Sequence, residues 1–273
     1  MWFSDNISSS YVYKANRLSG RIEIERMRTF VLIYRWIAAL LVMMITGSVG
    51  LILVLISFGL LRNFCCKNLI NYSSRFILLI TGFKAIYPKF ELFPKYPVLY
   101  VFNHNSFLDI FLLTGMGLGN IRYLLSEKTL IYVPLILSAK TVGTRFIPQK
   151  KHKERRLKFL IRTTEFLKTR QLSIAGAAEG VHEHNHGISP FNRGVFHMAF
   201  EAQLPIVSLY IHVPIESDPL RGKNAKGGTL KLEILEETET KNWSLENLDD
   251  HINDVRNTYV SRFNQLNPNN KTT

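Results

Sequence analysis

Hydrophobic and polar positions divide the chain into a long apolar N-terminal stretch and a region of short alternating patterns. The 26 residues from Trp36 to Leu61 carry no charge, and a helix of that length can cross a hydrocarbon core of about 30 Å. From about residue 89 onward, short β-rich runs alternate with amphipathic runs. The pattern predicts an α/β fold, a mixed sheet flanked by helices, with an N-terminal hydrophobic membrane-associated helical segment.

The alternating region is predicted to form a single domain over residues 89–266, followed by a polar, disordered tail at 267–273. Residues 1–88 form the membrane-associated region, with an interfacial amphipathic helix at about 69–83. Strands are predicted at 98–102, 145–148, 172–175, 206–211 and 230–235, and helices at 107–118, 152–170, 194–202 and from a cap at Ser244 or Asn247 to about 264.

The charges that flank the apolar stretch bear on how it meets a membrane. Both flanks are basic, and basic flanks prefer the cytoplasmic side. A re-entrant hairpin that turns within Thr46–Gly50 would place both flanks on that side. The sequence favours this hairpin and leaves a single transmembrane span open. Either arrangement predicts a membrane protein whose soluble domain faces the cytoplasm, at the inner membrane in a bacterium.

The overall charge narrows the class of partner. Lys and Arg number 34 against 21 Asp and Glu, a formal net charge of +13, which favours an anionic membrane surface or phosphate-bearing small molecules. Nucleic acid is not expected, because no zinc-finger, RNP or basic-zipper pattern is present. The two cysteines, Cys65 and Cys66, are adjacent and offer no disulfide framework.

The stretch FNHNSFLDIF at 102–111 interrupts the apolar pattern with the strongest candidate chemistry. His104 falls where a predicted strand ends, and Asp109 falls in the first turn of the following helix. A chain reversal between them lets the carboxylate fix the imidazole tautomer, which leaves the other ring nitrogen as a general base. A structural alternative stays open, since Ser106 and Asp109 also match a helix capping box.

Further motifs follow in a set order: GTRFIP at 143–148, EG at 179–180, PFNRGV at 190–195 and LPIV at 204–207. With the N-H-x-x-x-x-D block at 103–109, this set resembles the glycerolipid (lysophospholipid) acyltransferase family, typified by 1-acylglycerol-3-phosphate acyltransferase. The resemblance covers about residues 95–215. The first block matches fully and the others match in part.

The resemblance implies a reaction and a set of roles. His104 would be the general base on an acceptor hydroxyl and Asp109 would orient it, with acyl transfer directly from acyl-CoA or acyl-carrier protein and no cofactor. The expected partners are the acyl thioester donor, the membrane surface and a lipid acceptor, either lysophosphatidate or another lysolipid. An apolar groove should lead from His104 toward the membrane to shelter the acyl chain. The substrate-binding residues implied are Asn103, Gly143, Arg145, Phe146, Ile147, Glu179, Gly180 and Arg193.

Two departures from the family pattern affect the acceptor. Gln149 and His182 stand where the family has arginines, and neither reproduces the bidentate fork that clamps a phosphate. Arg145, Lys150, Lys151 or Arg193 could substitute.

Two other functions remain as alternatives. The histidines of HEHNH at 182–186 would share one face of an extended chain and suit a metal-dependent hydrolase. A non-catalytic, membrane-anchored binding protein would use the His104 block only as a helix cap.

Overall fold

A computed structural model of the chain describes residues 4–104, 106–179, 187–214, 217 and 227–268. Its centre is a seven-stranded mixed sheet in the order β1-β7-β6-β2-β5-β3-β4. The strands are β1 (Lys84–Ile86), β2 (Leu99–Phe102), β3 (Ile121–Ser126), β4 (Arg145–Ile147), β5 (Ser173–Ala177), β6 (Ile206–His212) and β7 (Thr229–Thr238).

The central strands point the same way, which gathers their carboxyl ends at one edge of the sheet. β2 pairs in parallel with β5 and β6, and β3 pairs in parallel with β4 and β5. Only β6 and β7 pair antiparallel, and β1 adds to β7 in parallel. The predicted α/β class with a mixed sheet is confirmed.

Helices cover both faces of this sheet. The chain-order helices are α1 (Ser4–Ile56), α2 (Arg62–Phe64), α3 (Asn71–Ile80), α4 (Asp109–Thr114), α5 (Val133–Val142), α6 (Lys153–Thr169), α7 (Arg193–Ala202) and α8 (Leu248–Leu266), with a π-helical segment at Cys65–Ile70. Residues of α3, α4 and α5 share one hydrophobic core with the sheet. Residues of α6, α7 and α8 share a second core on the opposite face.

The hairpin predicted within Thr46–Gly50 is wrong, because α1 runs without a break through this stretch to Ile56. The two glycines serve close helix packing instead of a turn. A Cβ on Gly47 would lie 2.8 Å from the Ser138 backbone nitrogen of α5, and one on Gly50 would lie 2.6 Å from Thr141 Cγ2. Thr141 Oγ1 also donates to the Gly47 carbonyl at 3.0 Å. A larger residue at either position would force the two helices apart.

The reversal comes after α1 instead, at Phe58 and Gly59, which have φ values of 51° and 90°. Phe58 is 97% exposed at the tip of this turn. Within the described residues, one stretch is long and apolar enough to cross a membrane, the part of α1 from Thr29 to Ile56.

The helix predicted at about 69–83 is present as α3. Several of its polar side chains face the protein and several of its apolar side chains face outward. Ser73 and Ser74 face the core, whereas Tyr72, Phe76 and Leu79 are exposed. Exposed apolar side chains are also frequent along α1. This combination is typical of a surface that meets lipid.

Most predicted elements of the alternating region appear close to their expected positions, and three elements were not predicted. β1, β3 and α5 are the additions, and β1 places the start of the sheet before residue 89. The helix expected at 107–118 is shorter, spanning Asp109–Thr114. The last helix starts after its predicted N-cap residue Asn247. Residues 269–273 of the predicted tail lie outside the described residues.

Candidate active site

His104 and Asp109 come together at the carboxyl edge of the sheet. β2 ends at Phe102, and the chain turns so that Asp109 begins α4. His104 Nδ1 lies 2.8 Å from Asp109 Oδ2. The Asp109 side chain is 2% exposed and the His104 side chain is 30% exposed. A buried carboxylate thus contacts one nitrogen of an imidazole that solvent and substrate can reach.

The same carboxylate also binds the backbone of the turn before α4. Asp109 Oδ2 accepts the Ser106 backbone N–H at 3.3 Å, and the Asp109 N–H donates to the Ser106 carbonyl at 3.2 Å. The N-cap of α4 is Leu108, which makes no side-chain cap hydrogen bond, so the capping box expected at Ser106 does not start this helix. The contact with Ser106 holds the carboxylate in the orientation that faces the ring.

Asn103 fixes the backbone just before His104. Its side chain is fully buried and pairs with the main chain of β6. Asn103 Nδ2 donates to the Ile211 carbonyl at 2.9 Å, and the Ile211 N–H donates to Asn103 Oδ1 at 2.7 Å. This two-bond bridge extends the attachment of β2 to β6 past the end of the strand. Asn103 is thereby positioned to support His104 through the backbone.

Glu179 supports the His104 backbone from just after the neighbouring strand β5. Its Oε1 accepts the His104 N–H at 3.2 Å, and its Oε2 accepts the Ser189 N–H at 3.2 Å. Burial raises the pKa of Glu179, while the N–H donors of Ser189 and His104 oppose that rise. The carboxyl group joins the His104 turn to the segment that precedes α7.

Two residues of α8 bind the backbone of β2 and of the segment before α7. The sequence alone did not predict them. The Tyr259 hydroxyl donates to the Val101 carbonyl at 2.7 Å. Arg256 donates to the carbonyls of Ile188, at 2.8 Å, and Ser189, at 3.2 Å. Nothing in the sequence marks these two side chains out, because their partners lie 67 or more positions away along the chain.

An apolar cleft lies beside α4, immediately after Asp109. The lining side chains come from α1, α3, α4, α5, β3 and the π-helical segment, among them Met43, Ile70, Ile77, Ile110, Phe111 and Leu135. α1 also reaches the turn itself, because the Trp36 ring packs against Phe107 with centroids 5.4 Å apart. The wall therefore includes a residue of the apolar N-terminal helix and Ile110, the residue that follows Asp109.

Comparison with known proteins shows which proteins this chain resembles. Residues 85–212 match the family model described as Acyltransferase. The chain therefore resembles this family over the part that carries β2 to β6 and the helices between them. It is 28% identical over 116 residues to a 1-acyl-sn-glycerol-3-phosphate acyltransferase alpha of Ovis aries, which covers 42% of this chain and 40% of the relative. It is 26% identical over 180 residues to a 1-acyl-sn-glycerol-3-phosphate acyltransferase of Saccharomyces cerevisiae, covering 64% and 58%.

The crystal structure of the 1-acyl-sn-glycerophosphate acyltransferase PlsC from Thermotoga maritima has the same fold, with a TM-score of 0.71, 17% identity and coverage of 89% of this chain and 97% of that one. The match covers less than two thirds of the length of each of the two curated relatives named here. The resemblance to glycerolipid acyltransferases drawn from the motifs is confirmed.

Two of the residues implied as substrate-binding, Arg145 and Arg193, are engaged by other elements of the fold. Arg145 Nε donates to Thr163 Oγ1 of α6 at 3.0 Å, and its guanidinium lies over the Phe166 ring. α6 covers the face of the sheet opposite to α4. Burial lowers the pKa of Arg145. Arg193 forms an exposed ion pair with Asp249 at 2.9 Å.

The backbone conformation at position 143 explains the glycine there. It ends α5 with a φ of 76°, a left-handed conformation, and a Cβ there would lie 2.9 Å from Arg122 Cδ. Arg62 donates to the carbonyls of Lys140 and Thr141 beside it. Gly143 thus caps a helix at the amino edge of the parallel strands, across the sheet from His104.

The remaining predicted site residues divide in two groups. Phe146 and Ile147 end β4 at the carboxyl edge, and Ile147 packs toward the α6 face. Gly180 and the HEHNH stretch at 182–186 lie outside the described residues. Within the described ranges, no group of three or more His, Cys, Asp or Glu side chains could hold a metal ion.

Proposed function

We propose that the protein is a membrane-bound O-acyltransferase that moves a fatty acyl group from acyl-CoA or acyl-carrier protein to the free hydroxyl of 1-acylglycerol-3-phosphate, giving phosphatidic acid. The observation that carries the proposal is the 2.8 Å contact between His104 Nδ1 and Asp109 Oδ2, at the open end of β2. The names of the relatives from sheep and yeast support the choice of acceptor.

In the proposed mechanism, His104 acts as general base. A carboxylate only accepts hydrogen bonds, so Asp109 selects the tautomer with hydrogen on Nδ1 and the lone pair on Nε2. Nε2 takes the proton of the acceptor hydroxyl as its oxygen attacks the thioester carbonyl carbon. The C–S bond then breaks, and the leaving thiolate takes that proton from the imidazolium. No covalent bond to the enzyme is needed.

The apolar cleft would hold an acyl chain next to this centre. Ile110 and Phe111 follow Asp109 directly and contribute to its wall. Burial of an acyl chain there is favourable by about 0.8 kcal/mol for each methylene removed from water. The donor carbonyl would then lie at the mouth, within reach of the imidazole.

We further propose that α1 and α3 hold the protein to one leaflet, on the cytoplasmic side. The side of α1 that carries Gly47 and Gly50 packs against α5 of the catalytic domain. A perpendicular span of α1 would draw α5 into the hydrocarbon core. Exposed apolar residues on α1, on α3 and at Phe58 suit a helix pair embedded from one side.

The test is a panel assay with purified protein. Labelled acyl-CoA or acyl-carrier protein is offered with lysophosphatidate, and the products are resolved by chromatography. We expect labelled phosphatidic acid, and a loss of about 10²–10⁴-fold in rate in His104→Ala with an unchanged circular dichroism spectrum. Absence of transfer to every acceptor, or full activity of a folded His104→Ala protein, would refute the proposal.

A second acceptor class is favoured by one observation. Arg145 and Arg193, which could replace the missing phosphate-binding arginines, are engaged by α6 and α8. A lysolipid that lacks a phosphate monoester is therefore the second candidate acceptor. Including lysophosphatidylcholine and a lyso-amino-acid lipid in the same panel separates the candidates, because the true acceptor will give the highest kcat/KM.

A further inference from the structure

Four consecutive apolar residues are exposed at the carboxyl edge of β3 and β4, outside the proposed chemistry. Leu130, Ile131, Tyr132 and Val133 are between 42% and 74% exposed. They lie between the end of β3 and the first turn of α5. A run of four exposed apolar residues is unusual on a surface that meets only water. None of the four lines the apolar cleft.

This segment is held in place by its surroundings. Ser126 Oγ accepts the Lys128 N–H at 3.3 Å, and Thr129 Oγ1 donates to the Ser126 carbonyl at 2.7 Å. The Glu127 carboxylate accepts the Gln149 N–H at 3.0 Å and a hydrogen bond from Arg155 at 3.0 Å. The exposure of the segment is therefore a property of an ordered turn. The same contacts bring the loop after β4 alongside it.

That loop, the start of α6 and the turn itself carry exposed positive charge. Lys128, Lys150, Lys151 and Lys153 are all exposed. In the part of the chain that the structure describes, none of these four lysines forms an ion pair with an acidic side chain. The nearest acid on the turn, Glu127, is already paired with Arg155. Apolar side chains at the centre and cations at the rim match hydrocarbon beneath anionic headgroups.

The position of the segment favours a bilayer over a protein partner. Ser138 and Thr141 of α5 contact Met43 and Gly47 of α1 in the same order along both helices. α1 and α5 therefore run in the same direction, and the first turn of α5 lies beside the part of α1 that precedes Met43. Exposed Ile37, Leu40 and Leu41 belong to that part. The apolar segment continues the lipid-facing surface proposed for α1.

We propose that residues 130–133 form a second membrane-insertion site, distinct from α1 and α3, and that Lys128, Lys150, Lys151 and Lys153 bind anionic lipid headgroups around it. Because β3 and β4 end at the same edge of the sheet as β2, this contact sets the edge that carries His104 against the bilayer. A lipid acceptor would then reach the imidazole without leaving the interface.

The insertion is tested by a nitroxide spin label on Ile131→Cys in the full chain, reconstituted into vesicles that contain anionic phospholipid. The matched control is a label on Leu245→Cys, an exposed apolar position on the α8 side of the sheet. Cys65 and Cys66 are buried, and burial raises the pKa of the Cys66 thiol to about 11, so these thiols label slowly. Accessibility to oxygen is compared with accessibility to a water-soluble nickel complex.

We expect a several-fold higher ratio of oxygen to nickel accessibility at position 131 than at position 245. Equal, water-like ratios at the two positions would overturn the proposal. The measurement needs no acyl transfer, so its outcome is independent of the proposed reaction.

The charge component is tested by Lys150→Glu/Lys151→Glu, with Lys89→Glu/Lys95→Glu as a control that changes the same charge elsewhere on the exposed surface. We expect the immersion of the label at 131 to deepen several-fold when anionic lipid is added to zwitterionic vesicles. The first variant should lose this response and the control should keep it. Equal immersion in both lipids, or equal loss in both variants, would overturn the headgroup assignment.

Discussion

At the scale of single residues, one carboxylate oxygen connects structure and chemistry. Asp109 Oδ2 contacts the His104 ring and also accepts the N–H of Ser106. The interaction that holds the turn before α4 thereby also fixes an imidazole. The contact with the turn and the contact with the ring are two consequences of one geometry.

Replacement of Asp109 by asparagine should separate orientation from burial. The side-chain amide can present its NH₂ group to Nδ1, which moves the ring hydrogen to Nε2 and removes the base. We expect kcat to fall by about 10²–10⁴-fold with little change in KM. Steady-state kinetics with vesicle-presented acceptor provide the measurement. The exposed α8 change Asp254→Asn is the control, and a folded Asp109→Asn protein with normal kcat would contradict the assignment.

Glu179 should give the stability of the protein a distinctive pH dependence. Burial raises its pKa above the ordinary value of 4.5, so the folded state holds this proton more tightly than the unfolded state. The stability that it contributes is present at low pH and is lost as the pH rises from about 4.5 through the raised pKa.

Chemical denaturation in detergent across this range provides the measurement. The free energy of unfolding of the wild type, minus that of Glu179→Gln, should decrease as the pH rises. Glu246→Gln, the same change at an exposed position, is the matched control. A Glu179 difference without a slope would show that burial does not govern this carboxyl group.

At the scale of elements, the sequence predicted those whose periodicity is local. The amphipathic pattern of α6 and the apolar runs of β2 and β6 placed these elements within a few residues. β3 and α5 were missed, because Arg122 interrupts one apolar run and the other lacks a polar face. Gly47 and Gly50 were misassigned because a glycine looks the same in a turn and in a close helix contact.

The same limit applies to the site. The spacing of His104 and Asp109 was sufficient to predict their contact, because both lie in one local turn. The direction of Arg145 was not predictable, since it depends on Thr163 and Phe166, which reach it only through the packing of α6 on the sheet. Long-range packing decides which motif residues face the imidazole.

The glycine contact between α1 and α5 predicts a strong effect of side-chain size. Gly47→Leu would place atoms where the Ser138 backbone lies, and overpacking of this kind costs about 1–3 kcal/mol. Thermal unfolding in detergent should show a lower Tm than the wild type. Val49→Leu, a change at an exposed position in the same turn of α1, should leave Tm close to the wild type. Equal Tm values for the two variants would contradict the packing interpretation.

At the scale of the whole molecule, the exposed apolar features proposed to meet lipid collect on one face and one edge. α1, α3 and residues 130–133 lie there, whereas α6, α7 and α8 cover the other face. The arrangement predicts that the start of the apolar part of α1 and the α8 side of the sheet share one side of the membrane.

Sidedness is measurable with an impermeant thiol reagent on sealed inverted vesicles. Arg26→Cys and Leu245→Cys should both be labelled from the outside, which corresponds to the cytoplasmic face. Labelling of Arg26→Cys only after the vesicles are opened would mean that α1 crosses the bilayer.

The contact between Trp36 and Phe107 has a consequence for the molecule in its lipid setting. Phe107 lies between His104 and Asp109 in the sequence. The turn that carries His104 therefore packs against α1, the helix proposed to meet the lipid. Bilayer thickness sets the tilt of such a helix, and a change in tilt would press or release that turn. Fatty acyl length in the surrounding membrane would thereby tune the proposed acyl transfer, whose product would itself be a membrane lipid.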